Sequence, residues 1–350
     1  MIKSLWHTST NTEIRFNKSL NIPSNKTRVK SKYSMISLGT ESLVLNKKIP
    51  KAIEDYMTVP YMEGNFNLPI KYGYALSGVL DSGEKVHLMH PHQNSCIVDT
   101  NSVFKACQEL PLKRIPLISN METVINAIWD SCLKQNQTIA ICGFGNIGSL
   151  LALTLKHHYN FDAKIIETNE WRKQKAQELG FDLLSEATGF DIAFNTAANE
   201  NALQFCIDRA NEEGKIIDIS WHGTSKTTLK LGKNFHKNRL RLIATQVSKI
   251  PISKRKEYDY FKRKVLAVTI LSIATEPENW GGNLREFEDI TFAMGKPKEE
   301  TTYFSNDDSW ELEAKEFIEA IKNKTPIING TIDDAISTFK LLQNVYSSDK

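Results

Sequence analysis

The stretch at positions 143–148 constrains the fold of this chain most, because its glycines are spaced as Gly-x-Gly-x-x-Gly. An apolar run over 138–142 precedes it and an apolar segment over 149–157 follows, which predicts a strand, a tight loop and a helix. The first glycine permits the turn, the second lets the backbone approach a phosphate, and the third lets the helix pack on the strand. We therefore predict a pyrophosphate site at a helix N-terminus. Its residues are Gly143, Phe144, Gly145, Asn146, Ile147 and Gly148.

An acidic residue lies where a ribose-binding acid is expected. Glu167 ends the next predicted strand, Lys164–Glu167, about 19 residues after Gly148. A carboxylate there accepts from both ribose hydroxyls and repels a 2′-phosphate, which favours NAD over NADP. Arg172 and Lys173 lie just beyond and partly offset that repulsion, so NADP stays possible and Arg172 joins the candidate cofactor residues. The alternative is a glycine turn and a surface acid in an α/β fold that binds no dinucleotide.

Secondary-structure patterns change near residue 119. Before it, short β-type runs alternate with turns that contain Pro and Gly, which is typical of a β-rich domain. After it, strand-like and helix-like segments alternate, which predicts a parallel sheet covered by helices. We predict an α/β protein with a β-rich domain at 1–118, a doubly wound dinucleotide-binding domain at 119–265, and a helical C-terminal segment at 266–350 that packs on the first domain.

Charge and cysteine usage narrow the class of protein. The 44 basic and 41 acidic residues give a net charge of +3, so nucleic acid is not an expected partner. We interpret the locally basic stretch 253–264 as a solvated helix face. The five cysteines are scattered without a Cys-x-x-Cys, which argues against a disulfide framework. We see neither the apolar region of a secretory signal nor a run able to span a bilayer, and expect a reduced cytoplasmic protein without membrane contact.

Several short stretches resemble the medium-chain dehydrogenase/reductase family over about residues 20–265. They are 37–41 (SLGTE), 72–79 (YGYALSGV), 83–86 (GEKV) and the glycine loop with Glu167. Within that family the chain looks most like a zinc-free group related to bacteriochlorophyllide dehydrogenase, on the stretches 90–93 (HPHQ), 120–123 (NMET) and 219–223 (ISWHG). The resemblance implies a GroES-like domain before a Rossmann domain. It also implies hydride transfer between a nicotinamide cofactor and an alcohol or carbonyl substrate.

Departures from the family pattern affect the zinc ligands. Zinc-binding members carry Cys before Gly-Thr-Asp, and this chain has Leu38; they carry Gly-His-Glu, and this chain has Gly73-Tyr74-Ala75. Leucine and alanine have no ligand atom, and a neutral tyrosine is a poor ligand, whereas catalytic zinc needs three protein ligands and an open position. The four-cysteine structural lobe is also missing. We therefore predict that the protein uses no metal.

Without a metal, hydrogen-bond donors have to polarise a substrate carbonyl. The resemblance puts Thr40 at the family's proton-relay hydroxyl and Tyr74 at the position of the lost histidine. The alternatives are a turn threonine and an aromatic ring that fills the zinc void. Glu41 replaces the family's Asp, either as an orienting group or as a surface acid. His92 is the third catalytic candidate, as a proton donor lining the cleft, with a metal site shared with neighbouring histidines as its alternative.

Two residues after a later strand are expected to face the ligand. Trp221 and His222 follow the predicted strand Lys215–Ser220 at the carboxyl edge of the sheet, where doubly wound folds bind ligands. We predict that they contact the nicotinamide or the substrate; the alternative is that they cap the strand. The strand within Arg239–Gln246 is predicted to pair across a homodimer.

The C-terminal part resembles a different family. The stretches 309–313 (SWELE), 317–321 (FIEAI) and 333–346 look like the C-terminal end of Gfo/Idh/MocA sugar oxidoreductases; the alternative is ordinary amphipathic helices. Three functions follow from the sequence. The first is a zinc-independent oxidoreductase acting on an alcohol/carbonyl pair with NAD or NADP. The others are a dinucleotide-binding protein without turnover and a sugar oxidoreductase of the Gfo/Idh/MocA type.

Overall fold

The computed structural model describes residues 1–18, 21–184, 189–273, 284–286, 318–319 and 322–323, and the elements below belong to this part. Residues 1–295 form one compact unit and residues 296–350 a second one. The described residues of the second unit are helical and exposed. The stretches that resemble the Gfo/Idh/MocA family otherwise lie outside the described residues.

Short antiparallel strands build the N-terminal part of the first unit. The strands are β1 (Ile2–His7), β2 (Thr12–Asn17), β3 (Lys26–Met35), β4 (Glu63–Gly64), β5 (Ile70–Lys71), β6 (Leu76–Leu80), β7 (Lys85–Leu88), β8 (Ser95–Asp99) and β9 (Phe104–Lys105). The α-helices are α1 (Thr40–Leu45) and α2 (Glu54–Met57), and the 3-10 helices are Lys51–Ile53, Thr100–Ser102 and Ile115–Leu117.

The long strand β3 organises the larger N-terminal sheet. It pairs antiparallel with β6 and β8, β6 pairs with β7, and β7 with β9. Along β3, Val29 and Ser31 are buried whereas Lys30 and Lys32 are exposed, because successive strand residues point to opposite faces. A smaller sheet has the order β2-β1-β5-β4. The β-rich texture of the N-terminal sequence therefore corresponds to two antiparallel sheets.

Strands and helices alternate in the second half of the unit. The helices are α3 (Ile118–Ser131), α4 (Asn146–His157), α5 (Glu170–Glu178), α6 (Glu200–Arg209), α7 (Asn234–Lys237) and α8 (Tyr260–Ile273), with a 3-10 helix at Ile252–Lys254. The strands are β10 (Ile139–Cys142), β11 (Ala163–Ile166), β12 (Phe190–Asn195), β13 (Ala210–Asp218), β14 (Arg241–Ala244) and β15 (Leu284–Glu286).

Five of these strands form a parallel sheet with the order β11-β10-β12-β13-β14. The chain moves outward from β10 to β11 and then returns to β12 on the other side of β10. This reversal is the topological switch point at which doubly wound folds bind ligands. A parallel bridge between Ile165 and Leu183 continues the sheet beyond β11. The predicted α/β class is confirmed.

Both faces of the parallel sheet are apolar because helices cover each of them. Ile139 and Ile141 of β10 face one core, which includes α3 and α4. Ala140 and Cys142 face the other core, which includes Cys206 of α6. Among the described residues, no helix has the length and apolarity to cross a membrane.

Several predicted boundaries move in the structure. Helix α4 begins at Asn146, three residues before the predicted start, because Gly145 already takes the N-cap position. Helix α6 was not predicted. Helix α8 runs through position 265, across the expected domain boundary, and residues 284–286 pair with β3 as an edge strand.

Most of the basic stretch 253–264 is exposed, as expected of a solvated face, but Arg263 is an exception. Arg263 is 3% exposed and donates to Glu122 at 3.0 Å, and also to Asn126 Oδ1 and the Val247 carbonyl. Burial raises the pKa of Glu122, while Arg263 opposes this effect. The pair joins α3 to α8 inside the protein.

Removal of one side chain of the Glu122–Arg263 pair should reveal the free-energy cost of burying the other side chain alone. Glu122→Ala leaves the Arg263 guanidinium buried without its carboxylate, and we expect a loss of about 3–5 kcal/mol in the free energy of unfolding, measured in denaturant. The matched control is Glu170→Ala, which breaks the exposed pair with Lys173 and should change stability by less than about 1 kcal/mol. Equal effects of the two substitutions would contradict the buried role.

Candidate functional site

The glycine loop holds β10 and α4 in close contact. Gly143 has a φ of +96°, and a Cβ built there would lie 2.6 Å from Thr196 Oγ1. A Cβ on Gly148 would lie 1.9 Å from the Gly143 carbonyl oxygen. Neither position accepts a side chain without movement of the backbone. These contacts agree with the predicted need for glycine at the two positions, which is a tight turn at Gly143 and close helix packing at Gly148.

The space in front of Gly145 is open. A Cβ built on this residue would meet no atom within 4 Å, and no side chain caps the helix that begins at Asn146. The first amides of a helix have no intrahelical acceptor. Gly145, Asn146 and Ile147 are half-buried, so these N–H groups border accessible space. The loop thus has the donors, the dipole and the room that an anionic group requires.

Glu167 is tied to the backbone of the same loop. Its Oε2 accepts from the Phe144 N–H at 2.7 Å, and its Oε1 accepts from the amides of Thr168 and Asn169 at 2.7 and 2.9 Å. Its side chain is 6% exposed, and Arg172 lies 4.0 Å away. The carboxylate therefore fixes the loop, and one lone-pair direction is left for a ligand, given about four on an ionised carboxylate.

Residues that end neighbouring strands lie in one row. Cys142, Asn195 and Asp218 are register partners across β10, β12 and β13. Asn195 Nδ2 donates to Asp218 Oδ1 at 3.0 Å, and Asp218 Oδ2 lies 3.2 Å from His222 Nε2. A half-buried His222 is thereby oriented by a carboxylate at the carboxyl edge of the sheet.

The segment after β13 reaches the N-terminal part of the chain. Trp221 packs against the apolar cluster that contains Val44, Ile70 and Tyr72, and Tyr74 packs against the same cluster. The Thr224 N–H donates to the Lys48 carbonyl at 2.9 Å. Trp221 and Tyr74, which are far apart in sequence, are therefore brought to one region.

Tyr74 lies where the two halves meet. Its ring meets the Tyr72 ring edge-on at 6.3 Å, and it also packs on the large apolar core that residues of both halves form. The hydroxyls of Ser37 and Thr40 lie near its phenol. Burial raises the pKa of Tyr74, the Glu41 carboxylate adds to this, and the two hydroxyls oppose it. The phenol is therefore a neutral hydrogen-bond donor near neutral pH.

His92 is buried rather than lining an open surface. It is 1% exposed, and its Nε2 lies 2.6 Å from Glu41 Oε2 while its Nδ1 hydrogen-bonds to Ser34. The neighbouring histidines are engaged elsewhere. His87 bonds to Ser119 and His90 to the Pro91 carbonyl, and burial lowers the pKa of His90 to about 4.

The family's zinc-ligand positions do not provide a zinc donor set. Leu38 is half exposed and Ala75 is buried, and neither has a ligand atom. A neutral phenol, as at Tyr74, is a poor zinc ligand. Within the part of the chain that the structure describes, no three His, Cys, Asp or Glu side chains are grouped for a metal. These residues do not fit the three-ligand centre that catalytic zinc requires.

Comparison with known proteins gives the fold. No family model matches the chain. The chain is 28% identical over 137 residues to (R,R)-butanediol dehydrogenase of Bacillus subtilis (strain 168), a match that covers 35% of this chain and 40% of that enzyme. The match thus spans less than half of that curated relative.

Solved structures cover more of the chain. 2R,3R-butanediol dehydrogenase from Bacillus subtilis superposes with a TM-score of 0.60 at 17% identity, over 78% of this chain and 88% of that one. A short chain alcohol dehydrogenase from Escherichia coli CFT073, complexed with NADH, gives 0.59 at 13% identity, over 77% and 87%. The chain has the fold of these dehydrogenases, a GroES-like domain followed by a Rossmann domain.

Sequence reasoning missed some of the polar groups at this site. Asn195 and Asp218 are two of the missed residues, and each ends a strand. The rule that ligands bind beyond the carboxyl ends of strands could have identified them. The pairing of Glu41 with His92 and Ser34 joins residues distant in sequence, and no local pattern indicates it.

Replacement of Gly148 and of Gly145 by alanine should change the stability of the protein by different amounts. Gly148→Ala should cost at least about 1–3 kcal/mol in unfolding free energy, because its Cβ would overlap the Gly143 carbonyl. Gly145→Ala should change stability by less than about 1 kcal/mol, as should the control Gly232→Ala, whose Cβ also meets nothing within 4 Å. Thermal or denaturant unfolding measures the difference. A neutral Gly148→Ala would refute the close approach of α4 to β10.

Proposed function

We propose that this chain is a zinc-independent oxidoreductase that transfers hydride between a nicotinamide dinucleotide and an alcohol/carbonyl substrate. The observation that carries the proposal is the cradle at the switch point. Gly143 and Gly148 bring α4 against β10, and the space before Gly145 stays open to uncapped helix amides. The fold shared with dehydrogenases supports the same function.

The row of strand ends supports one direction for the dinucleotide. Neighbouring strands lie about 4.8 Å apart, so the ends of β11, β10, β12 and β13 offer a track for an extended ligand. The adenosine ribose would bind near Glu167, the pyrophosphate at the glycine loop, and the nicotinamide near Trp221 and His222. Glu167 favours NAD, and Arg172 beside it leaves NADP possible.

The bound nicotinamide would supply or accept the hydride. The chain has to hold a substrate oxygen and supply hydrogen bonds to it. Tyr74 is suited to donate a hydrogen bond, since its raised pKa keeps the phenol protonated. Thr40, half-buried beside it, offers a second hydroxyl that could hold or move a proton. Donors fixed in a water-poor site stabilise developing negative charge more strongly than donors in water.

Zinc-independence rests on the donor set. Leu38 and Ala75 stand at two of the family's ligand positions, and Tyr74, a poor zinc ligand as a neutral phenol, stands at the third. We infer that Tyr74 and Thr40 take over the polarising role of a metal. Addition of chelator should therefore leave turnover unchanged.

The test combines coenzyme binding with turnover. Wild-type protein should bind NADH, detected by fluorescence titration, and should oxidise it with at least one aldehyde or ketone of a panel. Gly145→Asp should abolish binding because its carboxylate would occupy the anion position, while the fold persists. Tyr74→Phe and Thr40→Val should each lower kcat/KM by about 10²-fold with NADH affinity retained.

The control is Tyr61→Phe, which removes a phenol bonded to Asp99 and Ser102 away from the glycine loop and should leave kcat/KM unchanged. If the protein binds NADH but turns over no carbonyl of the panel, the result would support the alternative function, a dinucleotide-binding protein without enzymatic activity. Unchanged NADH binding in Gly145→Asp would remove the basis of the proposal.

We further propose residues 1–118 as the substrate domain, a dinucleotide domain that begins at residue 119 and extends through α8, and a homodimer. The dimer contact is the edge strand β14, which pairs with β13 on one side and is largely exposed. An unpaired strand edge readily adds a second strand.

The oligomeric state tests the role of β14. Wild-type protein should sediment as a dimer at micromolar concentration, and Leu242→Glu should shift it toward monomer, because an isologous contact brings two like charges together. Leu242 is 41% exposed, and the matched control Leu231→Glu alters an equally exposed leucine (42%) off the strand. A monomeric wild-type profile, or equal behaviour of the two variants, would contradict the edge-strand dimer.

A further inference from the structure

Glu41 and His92 form a pair that is almost fully removed from solvent. Their side chains are 2% and 1% exposed, and Glu41 Oε2 lies 2.6 Å from His92 Nε2. A buried pair loses the hydration of both groups, and apolar replacements are often as stable or more so. Stability alone therefore gives little reason for this pair, and its contacts point toward the Tyr74 region.

One oxygen of Glu41 closes the turn that carries the site's hydroxyls. Glu41 Oε1 accepts from the Ser37 N–H at 2.9 Å, and the Glu41 N–H donates back to the Ser37 carbonyl at 3.1 Å. The Thr40 N–H donates to Ser37 Oγ at 3.3 Å. The carboxylate thereby fixes the turn that carries the Ser37 and Thr40 hydroxyls near the Tyr74 phenol.

His92 fixes Glu41 from the opposite side. Its Nδ1 bonds to Ser34 near the end of β3, so both ring nitrogens have partners. The ring also lies against Gly73, where a Cβ would be only 2.8 Å from Nε2. Gly73 directly precedes Tyr74, so one imidazole contacts both the Glu41 side chain and the backbone that carries Tyr74.

Glu41 also acts on Tyr74 through its charge. After burial, its carboxylate is the next cause of the raised pKa of Tyr74. The other titratable groups near Glu41 and Tyr74 are Tyr72 and His7. Burial also raises the pKa of Tyr72. His7 is buried near the pair, and burial lowers its pKa while Glu41 opposes this effect. Its Nε2 has no hydrogen-bond partner among the described residues.

We propose that Glu41 is a positioning residue, which holds the 37–40 turn and, through His92, the Gly73 backbone beside Tyr74, and which places its charge near the phenol. His92 acts through Glu41 and does not contact the substrate. The catalytic consequence rests on the proposed function, whereas the effect of the Glu41 charge on Tyr74 can be measured without turnover.

Two substitutions separate charge from position. Glu41→Gln removes the charge, but its amide oxygen still accepts from the Ser37 N–H. Glu41→Ala removes both. We expect the pKa of Tyr74 to fall in both variants, measured by NMR of carbon-13-labelled tyrosine with Tyr74→Phe for assignment. We expect kcat/KM for the carbonyl found with wild type to fall about 10²-fold in Glu41→Ala and less than 10-fold in Glu41→Gln.

The pH profile and a double variant complete the test. The alkaline loss of activity should move to lower pH in Glu41→Gln, since a phenol that ionises earlier stops donating. Glu41→Ala with His92→Ala should be no worse than Glu41→Ala alone if His92 acts through Glu41. The control Glu13→Gln, on the half-exposed pair with Arg15, should change neither the titration nor the profile.

An unmoved Tyr74 titration in Glu41→Gln would overturn the inference, and so would an equal loss of kcat/KM in the Gln and Ala variants. If wild-type protein turns over no carbonyl, the proposed function fails, and the Tyr74 titration still decides the role of Glu41. If Glu41→Ala does not fold, the Gln variant supplies the deciding titration.

Discussion

The contact between Gly148 and the Gly143 carbonyl is the constraint on which the site depends. Because neither residue has a Cβ, α4 starts directly behind the end of β10, and its first amides border the open space before Gly145. A methyl group at either glycine would move the helix away from the strand. The same loop is fixed from the other side by Glu167, whose carboxylate accepts from the Phe144 N–H. The loop that joins β10 to α4 is therefore also the proposed ligand site.

The N-terminal half supplies polar groups to a point close to this loop. Met35, at the end of β3, lies 4.0 Å from Asn146 Nδ2, and Tyr74 packs on the cores of both halves. The buried Glu41 and His92 side chains contact each other, and His92 lies against Gly73, which directly precedes Tyr74. The proposed chemistry thus depends on hydrogen-bond donors whose direction is set by packing.

Local patterns predicted much of the fold and part of the site. The glycine spacing and the apolar runs around it specified β10, the loop and α4 because helix and strand periods differ and glycine has special backbone freedom. The start of α4 was missed by three residues, since Gly145 rather than a polar residue is its N-cap. Arg263 was assigned to solvent because its partner Glu122 is distant in sequence and only tertiary packing joins them. For the same reason, no local pattern indicated the pair of Glu41 and His92 or the closeness of Trp221 and Tyr74.

The central claim is that the glycine loop receives the pyrophosphate of a nicotinamide dinucleotide. The most direct measurement is a crystal structure of the protein grown with millimolar NADH. The account predicts phosphate oxygens within about 3 Å of the amides that begin α4, with the adenosine ribose beside Glu167 and the nicotinamide toward Trp221. A fully ordered loop without coenzyme density under those conditions, or a dinucleotide bound elsewhere on the chain, would contradict it.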